Sequence, residues 1–330
     1  MKFVTFVRGQ GVVDAHAMRY GVHLGASILD LQLAAVLAGE ALAAPDLISF
    51  IAAGEPALRL ARRLSALAIE AIDAAHSKDG SAAGRLGKAV FPAREARLLA
   101  PIPRPAKNVF CVGRNYRDHV VEGSRARGAP LELPEYPQFF TKPPTAVIGP
   151  DDVFHHDPKV TEKLDYEVEL GVVIGASGCD ISPQRALDHV FGYTVVNDLT
   201  ARDLQRRHEQ WFKGKGLDRS CPLGPWIVTA DEILDPSQLE LSLSVNGEER
   251  QRARASEMIF DIPAIIASLS AGLTLEPGDI IATGTPSGVG YAMTPPQFLA
   301  AGDTVTCDIS GIGRLSTRIV SSPHGPETDA

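Results

Sequence analysis

One stretch of eleven residues, DYEVELGVVIG at 165–175, constrains the fold more than any other part of the sequence. Side chains alternate between faces along a β-strand, so Asp165, Glu167 and Glu169 would share one face. The apolar run 171–174 is typical of a strand covered on both faces. Carboxylates at the end of such a strand repel one another unless a cation lies between them, and Mg²⁺ and Mn²⁺ accept carboxylate oxygens. The stretch therefore predicts a half-buried strand with either a solvated polar face or a metal site.

Composition places this strand in a globular protein of one or two domains. The 330 residues are 45% hydrophobic and 22% charged, which excludes wholesale disorder. A formal net charge of -8 argues against a nucleic-acid partner. The four cysteines form no CxxC pair, which predicts a reducing compartment, and no apolar run is long enough to cross a membrane. We therefore expect a cytoplasmic protein that binds neither membranes nor nucleic acids.

The residue composition and hydrophobic pattern of the chain change near Pro101. Residues before it combine short strand-like stretches with alanine- and leucine-rich segments whose apolar residues recur every three or four positions. The run PIPRP then extends the chain, because each proline restricts the residue before it. We predict a small α/β N-terminal domain over 1–100, a larger β-rich domain over 101–322 and a flexible tail over 323–330.

Local patterns predict most of the regular elements. Asn246-Gly247 between a strand and a polar run is a strong hairpin signal, and Asp261 is a good helix N-cap. Strands are expected at 3–8, 20–24, 108–113, 167–175, 190–196, 226–229, 239–245 and 279–283, and helices at 27–42, 55–75, 182–189 and 261–271.

Asp198 is a further acidic candidate, at the end of an apolar strand. It precedes a predicted helix, so its alternative role is that of an N-cap. Arg202 and Gln205 follow four and seven residues later, which would place them on the same helical face. An arginine beside a carboxylate cluster suits a substrate carboxylate, which its guanidinium binds through two hydrogen bonds. The alternative for Arg202 is a surface ion pair.

Three other segments carry candidate catalytic groups. In GRNYRDHVVE, His119 and Glu122 would touch on a helix, and a histidine oriented by a carboxylate is a general base for water. Lys215 lies among glycines and aromatic residues and could stabilise an enolate or be a solubilising charge. After Thr283, the glycine-rich turn GTPSG offers backbone groups for a ligand oxygen.

Together and in this order, these segments resemble the fumarylacetoacetate hydrolase family over residues 107–320. The resemblance implies an α+β, mostly β fold, with a mixed β-roll catalytic domain after a small α/β N-terminal domain, and a homodimer. It also implies that Glu167, Glu169 and Asp198 bind a divalent cation, usually Mg²⁺ or Mn²⁺ and sometimes Ca²⁺.

The same resemblance implies roles for the other candidates. His119 and Glu122 match the family's water-activating dyad, and Lys215 matches the lysine that faces the keto acid end of the substrate. The positions that line the family's pocket correspond to Arg202, Gln205, Tyr116 and Thr283.

The function expected from this site is hydrolysis of a carbon–carbon bond in an acylpyruvate-type 1,3-diketo acid. Fumarylpyruvate, acetylpyruvate and fumarylacetoacetate, from aromatic or sugar-acid catabolism, are candidate substrates. A metal-stabilised enolate also serves decarboxylation of oxaloacetate or isomerisation of a 2-hydroxymuconate-type diacid. From a different class, a non-catalytic scaffold stabilised by metal is the third hypothesis.

Overall fold

The computed structural model describes residues 1–9, 17–74, 83–150 and 152–323, and these contain nineteen strands and eight α-helices. The strands are β1 (Lys2–Arg8), β2 (Arg19–Leu24), β3 (Ser27–Asp30), β4 (Val90–Pro92), β5 (Ala96–Leu99), β6 (Val109–Gly113), β7 (Gln138–Lys142), β8 (Val147–Ile148), β9 (Val153–His156), β10 (Leu164–Asp165), β11 (Val168–Ile174), β12 (Val190–Asn197), β13 (Thr200–Ala201), β14 (Cys221–Thr229), β15 (Glu240–Val245), β16 (Glu248–Arg254), β17 (Ile280–Ala282), β18 (Thr304–Ile309) and β19 (Gly313–Ser321). The helices are α1 (Leu31–Ala38), α2 (Leu47–Ala52), α3 (Gly54–Ala74), α4 (Ala83–Leu86), α5 (Arg117–Arg127), α6 (Arg202–Arg207), α7 (Phe212–Lys215) and α8 (Ile262–Ser270).

A twelve-stranded mixed sheet connects the two predicted domains. Its main path runs β4-β3-β2-β1-β14-β12-β11-β17-β6-β7, with β5 paired to β1 and β8 to β14. The antiparallel pairing of β1 with β14 joins the N-terminal segment to the rest of the chain. A second sheet has the order β16-β15-β18-β19-β9, and β10 pairs with β13. The predicted fold class, a mixed α and β architecture rich in strands, is confirmed. The boundary near residue 100 stays a prediction.

Strand β11 lies at the centre of the large sheet and is buried along its whole length. Val172 packs in a core that also contains Leu241 of the second sheet. Its neighbour Val173 points the other way, into a core with Leu64 of α3. The large sheet is therefore covered by helices such as α3 on one face and by the second sheet together with α8 on the other, as the apolar run in β11 predicted.

The predicted helix at 27–42 is wrong at both ends, since α1 also stops at Ala38, where Gly39 with a φ of +71° caps it. Residues Ser27–Asp30 form β3, which pairs with β2 across a turn at Gly25, whose φ is +66°. The helix begins only at Leu31, because the Asp30 side chain accepts a hydrogen bond from the backbone N–H of Leu33 and caps the helix.

The remaining predictions are confirmed or change slightly. The segment Pro183–His189 is a 3₁₀ helix rather than an α-helix, and β14 begins at Cys221, five residues before its predicted start. Helix α8 is capped by Asp261 as expected, and Asn246 and Gly247 both have positive φ in the β15–β16 hairpin. Apart from Pro323, the predicted tail lies outside the described residues. Within the described parts, every helix is too short or too polar to cross a membrane.

Candidate active site

The structure brings together the three carboxylates predicted to bind a metal. Glu169 lies in β11, Glu167 immediately precedes this strand, and Asp198 immediately follows β12. The antiparallel register, with Val168 opposite Asn197, places the start of one strand beside the end of the other. One oxygen from each carboxylate lies within 4.8 Å of the other two, and all three residues are buried.

The chemistry of this cluster fits a divalent cation. Burial and the neighbouring charges of Asp198 and Glu167 raise the pKa of Glu169 well above its ordinary value. Only one backbone group, the N–H of Gly284 at 2.8 Å, is recorded as donating to the Glu169 carboxylate in the described chain. Three hard oxygen donors that repel one another are a donor set for Mg²⁺ or Mn²⁺.

Two buried lysines approach the same carboxylates. Lys215 Nζ lies 2.8 Å from Glu167 Oε2 and 2.6 Å from Asp198 Oδ2. Lys142, at the end of β7, lies 2.6 Å from the other Asp198 oxygen and also donates to the carbonyl oxygens of Leu199 and Lys215. Lys142 is a functional residue that was not predicted from the sequence. The signal it offered was a lysine that closes the short strand-like run QFFTK before two prolines.

Arg202 is paired with protein carboxylates. Its Nε donates to Asp165 Oδ2 at 2.8 Å, and its Nη2 lies 2.7 Å from Glu167 Oε1 as an ion pair without hydrogen-bond alignment. Its Nη1 donates to Gln205 Oε1 at 3.3 Å. Asp165 also accepts hydrogen bonds from the backbone N–H groups of Gly290 and Tyr291. Asp165 therefore fixes Arg202 and the 290–291 loop, and it lies outside the cluster formed by Glu167, Glu169 and Asp198.

The prediction that Asp198 begins a helix is wrong. Residues Thr200–Ala201 form β13 and pair with β10, and the Thr200 hydroxyl donates to the Asp198 carbonyl oxygen. Helix α6 starts only at Arg202. Asp198 therefore lies on a strand-to-strand connection, where its side chain is free of a capping role and reaches the carboxylate cluster.

Helix α5 carries the predicted dyad. His119 Nδ1 lies 2.8 Å from Glu122 Oε1, and the other Glu122 oxygen accepts a hydrogen bond of 2.8 Å from the Gly288 backbone N–H. Glu122 thus orients the imidazole and ties α5 to the glycine-rich loop. Because Nδ1 faces Glu122, Nε2 is the imidazole nitrogen left to exchange a proton with a ligand.

A cavity of about 380 Å³ joins these groups. Tyr116 and Thr283, predicted to contact substrate, lie outside its wall. The Thr283 hydroxyl donates to the Leu170 carbonyl oxygen, and Tyr116 is 2% exposed. The wall is formed by Val112, Gly113, Arg114, His119, Arg127, Phe140, Glu167, Glu169, Arg202, Gln205, Arg206, Glu209, Trp211, Lys215, Thr285 and Tyr291.

Comparison with known proteins agrees with this geometry. Residues 108–320 match the family model for the C-terminal domain of fumarylacetoacetate hydrolase. The oxaloacetate tautomerase YisK of Bacillus subtilis is 48% identical over 293 residues, which cover 88% of this chain and 92% of that protein.

Solved structures of related enzymes resemble this protein over nearly the whole chain. A fumarylacetoacetate hydrolase from Exiguobacterium antarcticum has a TM-score of 0.74 and 37% identity, covering 97% of this chain and 99% of that one. A maleylpyruvate hydrolase from Sphingobium sp. SYK-6, in complex with manganese(II) and pyruvate, has a TM-score of 0.67 and 31% identity, covering 98% of this chain and 100% of that one. Since the matched segment contains the carboxylate cluster, the dyad and both buried lysines, the chain belongs to the fumarylacetoacetate hydrolase family.

Proposed function

We propose that this protein is a metal-dependent enzyme that interconverts the keto and enol forms of oxaloacetate. The observation that carries the proposal is the position of the Lys215 ammonium, within 2.8 Å of two carboxylates of the metal-binding cluster. A cation at this point is suited to an enolate oxygen, the group that forms during tautomerisation. The relative from B. subtilis, which aligns over nearly its whole length, supplies the choice of oxaloacetate.

The charge state of Lys215 suits this role. Burial alone lowers the pKa of its ammonium, but Asp198 and Glu167 outweigh burial and raise that pKa above its ordinary value. Lys215 therefore stays protonated near neutral pH and acts as a fixed positive charge. A divalent cation held by Glu167, Glu169 and Asp198 would supply Lewis acidity toward the 2-keto oxygen.

Proton movement in this mechanism is assigned to His119. Tautomerisation moves one proton between C3 and the 2-oxygen, so a base must take that proton and an acid must return it. His119 lines the cavity and is oriented by Glu122 at 2.8 Å. Its Nε2 takes the C3 proton, and Glu122 stabilises the imidazolium that forms.

The direct test is the rate at which enolic oxaloacetate is converted to the keto form. With Mg²⁺ or Mn²⁺ we expect decay of the enol absorbance well above the spontaneous rate, and loss of that acceleration with EDTA. Glu169→Gln, which removes one predicted metal ligand, should behave like the EDTA sample. No acceleration with either cation would overturn the proposal.

Replacing His119 separates tautomerisation from decarboxylation of the same substrate. Loss of carbon dioxide generates the enolate without a base, whereas tautomerisation requires one. His119→Ala is therefore expected to lower kcat/KM for tautomerisation by about 10²- to 10⁴-fold, the range for a general acid–base group, and to change pyruvate release much less. His155→Ala, an exposed histidine on β9 outside the cavity, is the control. Equal losses in both reactions would contradict the role of His119.

Hydrolysis of an acylpyruvate is the second candidate function. It is favoured by the hydrogen bond between His119 and Glu122, because an oriented imidazole can also activate water. The manganese-bound maleylpyruvate hydrolase has the same overall fold. EDTA-sensitive cleavage of acetylpyruvate, fumarylpyruvate or fumarylacetoacetate into two acids, at rates above oxaloacetate tautomerisation, would establish this function instead.

A further inference from the structure

Three arginines line the cavity without forming an ion pair among the described residues. Arg114, Arg127 and Arg206 all contribute to its wall, and none is within ion-pair distance of a carboxylate in the described parts of the chain. Glu209 lies on the same wall and is exposed. Arg202, in contrast, is fully paired with carboxylates of the protein. The unpaired arginines are therefore a separate group of positive charges.

The backbone holds Arg114 toward this group. Its φ of +56° lies in the left-handed region, which non-glycine residues adopt uncommonly and mostly where the surrounding structure requires it. Arg114 donates through Nη2 to the Glu132 carbonyl oxygen, whereas its buried Nε has no hydrogen-bond partner. Burial and, after it, the charge of Arg127 lower the pKa of Arg114, and the Glu132 carboxylate opposes this shift.

Arg127 and Tyr291 both approach Gly123 of α5, and the glycine leaves room for the Tyr291 hydroxyl. A Cβ atom at Gly123 would lie 2.6 Å from the Tyr291 hydroxyl oxygen and 3.5 Å and 3.6 Å from the two terminal nitrogens of Arg127. The Tyr291 hydroxyl and the Arg127 guanidinium therefore meet over this glycine. The Tyr291 ring also lies beneath Arg206, whose guanidinium carbon is 5.7 Å from the ring centroid. Arg127 and Arg206 thus both lie close to Tyr291 on one wall of the cavity.

The buried carboxylates at the metal end of the cavity are already paired with other cations and do not neutralise these three arginines. Four buried carboxylates meet three buried cations there: Asp165, Glu167, Glu169 and Asp198 face Lys142, Arg202 and Lys215. A divalent cation and the keto acid end of a substrate would occupy this end. Arg114 is half-buried, and Arg127 and Arg206 are exposed. Guanidinium groups that repel one another are stabilised by an anion, and arginine binds carboxylates through two parallel hydrogen bonds.

We propose that Arg114 and Arg127, assisted by Arg206, form a subsite for the second carboxylate of a short dicarboxylic keto acid. The proposal rests on the proposed function for the placement of the keto acid end. A cavity of about 380 Å³ is near the lower limit of ligand sites, which suits a short diacid. Because Arg127 and His119 share α5, a bound second carboxylate also fixes the helix that carries the proposed base.

The test is equilibrium binding of two unreactive 2-hydroxy acids to the Mg²⁺-loaded protein by calorimetry. Malate and 2-hydroxybutyrate share the 2-hydroxy acid end that would face the metal. At the other end malate has a carboxylate and 2-hydroxybutyrate has a methyl group. The wild-type protein is expected to bind malate about tenfold more tightly or better, since a hydrogen-bonded charge pair contributes at least that much. In Arg127→Ala this preference should fall below about threefold, with the affinity for 2-hydroxybutyrate unchanged.

Arg125→Ala is the matched control. Arg125 is exposed on the same helix and outside the cavity, so its variant should keep the preference for malate. A preference equal to that of wild type in Arg127→Ala, or the absence of any preference in wild type, would overturn the subsite. Binding is measured without turnover, so the subsite and the tautomerase activity can fail independently.

Discussion

Lys215→Ala is expected to lower kcat for oxaloacetate tautomerisation by about 10²- to 10³-fold, the usual effect of removing one preorganised electrostatic group. Its ammonium is buried, stays protonated and lies within 2.8 Å of Glu167 and Asp198. Removing it takes away a positive charge beside the developing enolate, which increases the activation free energy more than it weakens substrate binding. Initial rates at saturating substrate and saturating Mg²⁺ measure this loss.

Two controls separate this effect from damage to the fold or to metal binding. Lys213→Ala removes an exposed lysine from the same short helix and should leave kcat within about twofold of wild type, since it touches none of the groups that carry charge in the transition state. Calorimetric titration with Mg²⁺ shows whether Lys215→Ala still binds the cation. A metal-loaded Lys215→Ala enzyme with normal turnover would remove Lys215 from the mechanism.

Local sequence patterns predicted the parts of the site that lie on one strand or one helix. Glu167 and Glu169 are two residues apart beside β11, and His119 and Glu122 are three apart on α5, so spacing alone placed each pair together. Asp198 is 31 residues after Glu167 and 29 after Glu169, and it reaches the cluster only through the pairing of β11 with β12. The family resemblance supplied that long-range relation.

Other groups of the site could not be predicted from local patterns because their burial depends on the whole fold. Asp165 alternates in sequence with Glu167 and Glu169, which predicted that all three would share one face of a strand. Its carboxylate oxygens instead accept hydrogen bonds from Arg202 and from the backbone of the 290–291 loop. Tyr291 and Arg127 are far apart in sequence and meet only over Gly123. Periodicity describes the faces of single elements, and these contacts arise where separate elements meet.

Lys142 is another group whose place in the site depends on contacts between separate elements. Of the replacements considered, that of Lys142 is expected to lower stability most. Its side chain is fully buried, and its ammonium donates to Asp198 and to the carbonyl oxygens of Leu199 and Lys215. Lys142 and Lys215 both pair with Asp198, and without Lys142 the four buried carboxylates of the site face only two buried cations. Breaking a buried ion pair by removing one partner costs about 3 to 5 kcal/mol. Lys142→Met keeps most of the side-chain volume and removes the charge, so we expect the free energy of unfolding to fall by this amount.

Urea unfolding of the metal-free protein in EDTA measures this change without the stabilisation that a bound cation would add. The control is Arg185→Met, which breaks the exposed Arg185–Asp188 pair and should change the free energy of unfolding by less than about 1 kcal/mol. Lys142 is not part of the cavity wall, so its contribution to activity should come through the position of Asp198. A Lys142→Met protein as stable as the Arg185→Met control would show that Lys215 alone is a sufficient counter-charge for Asp198.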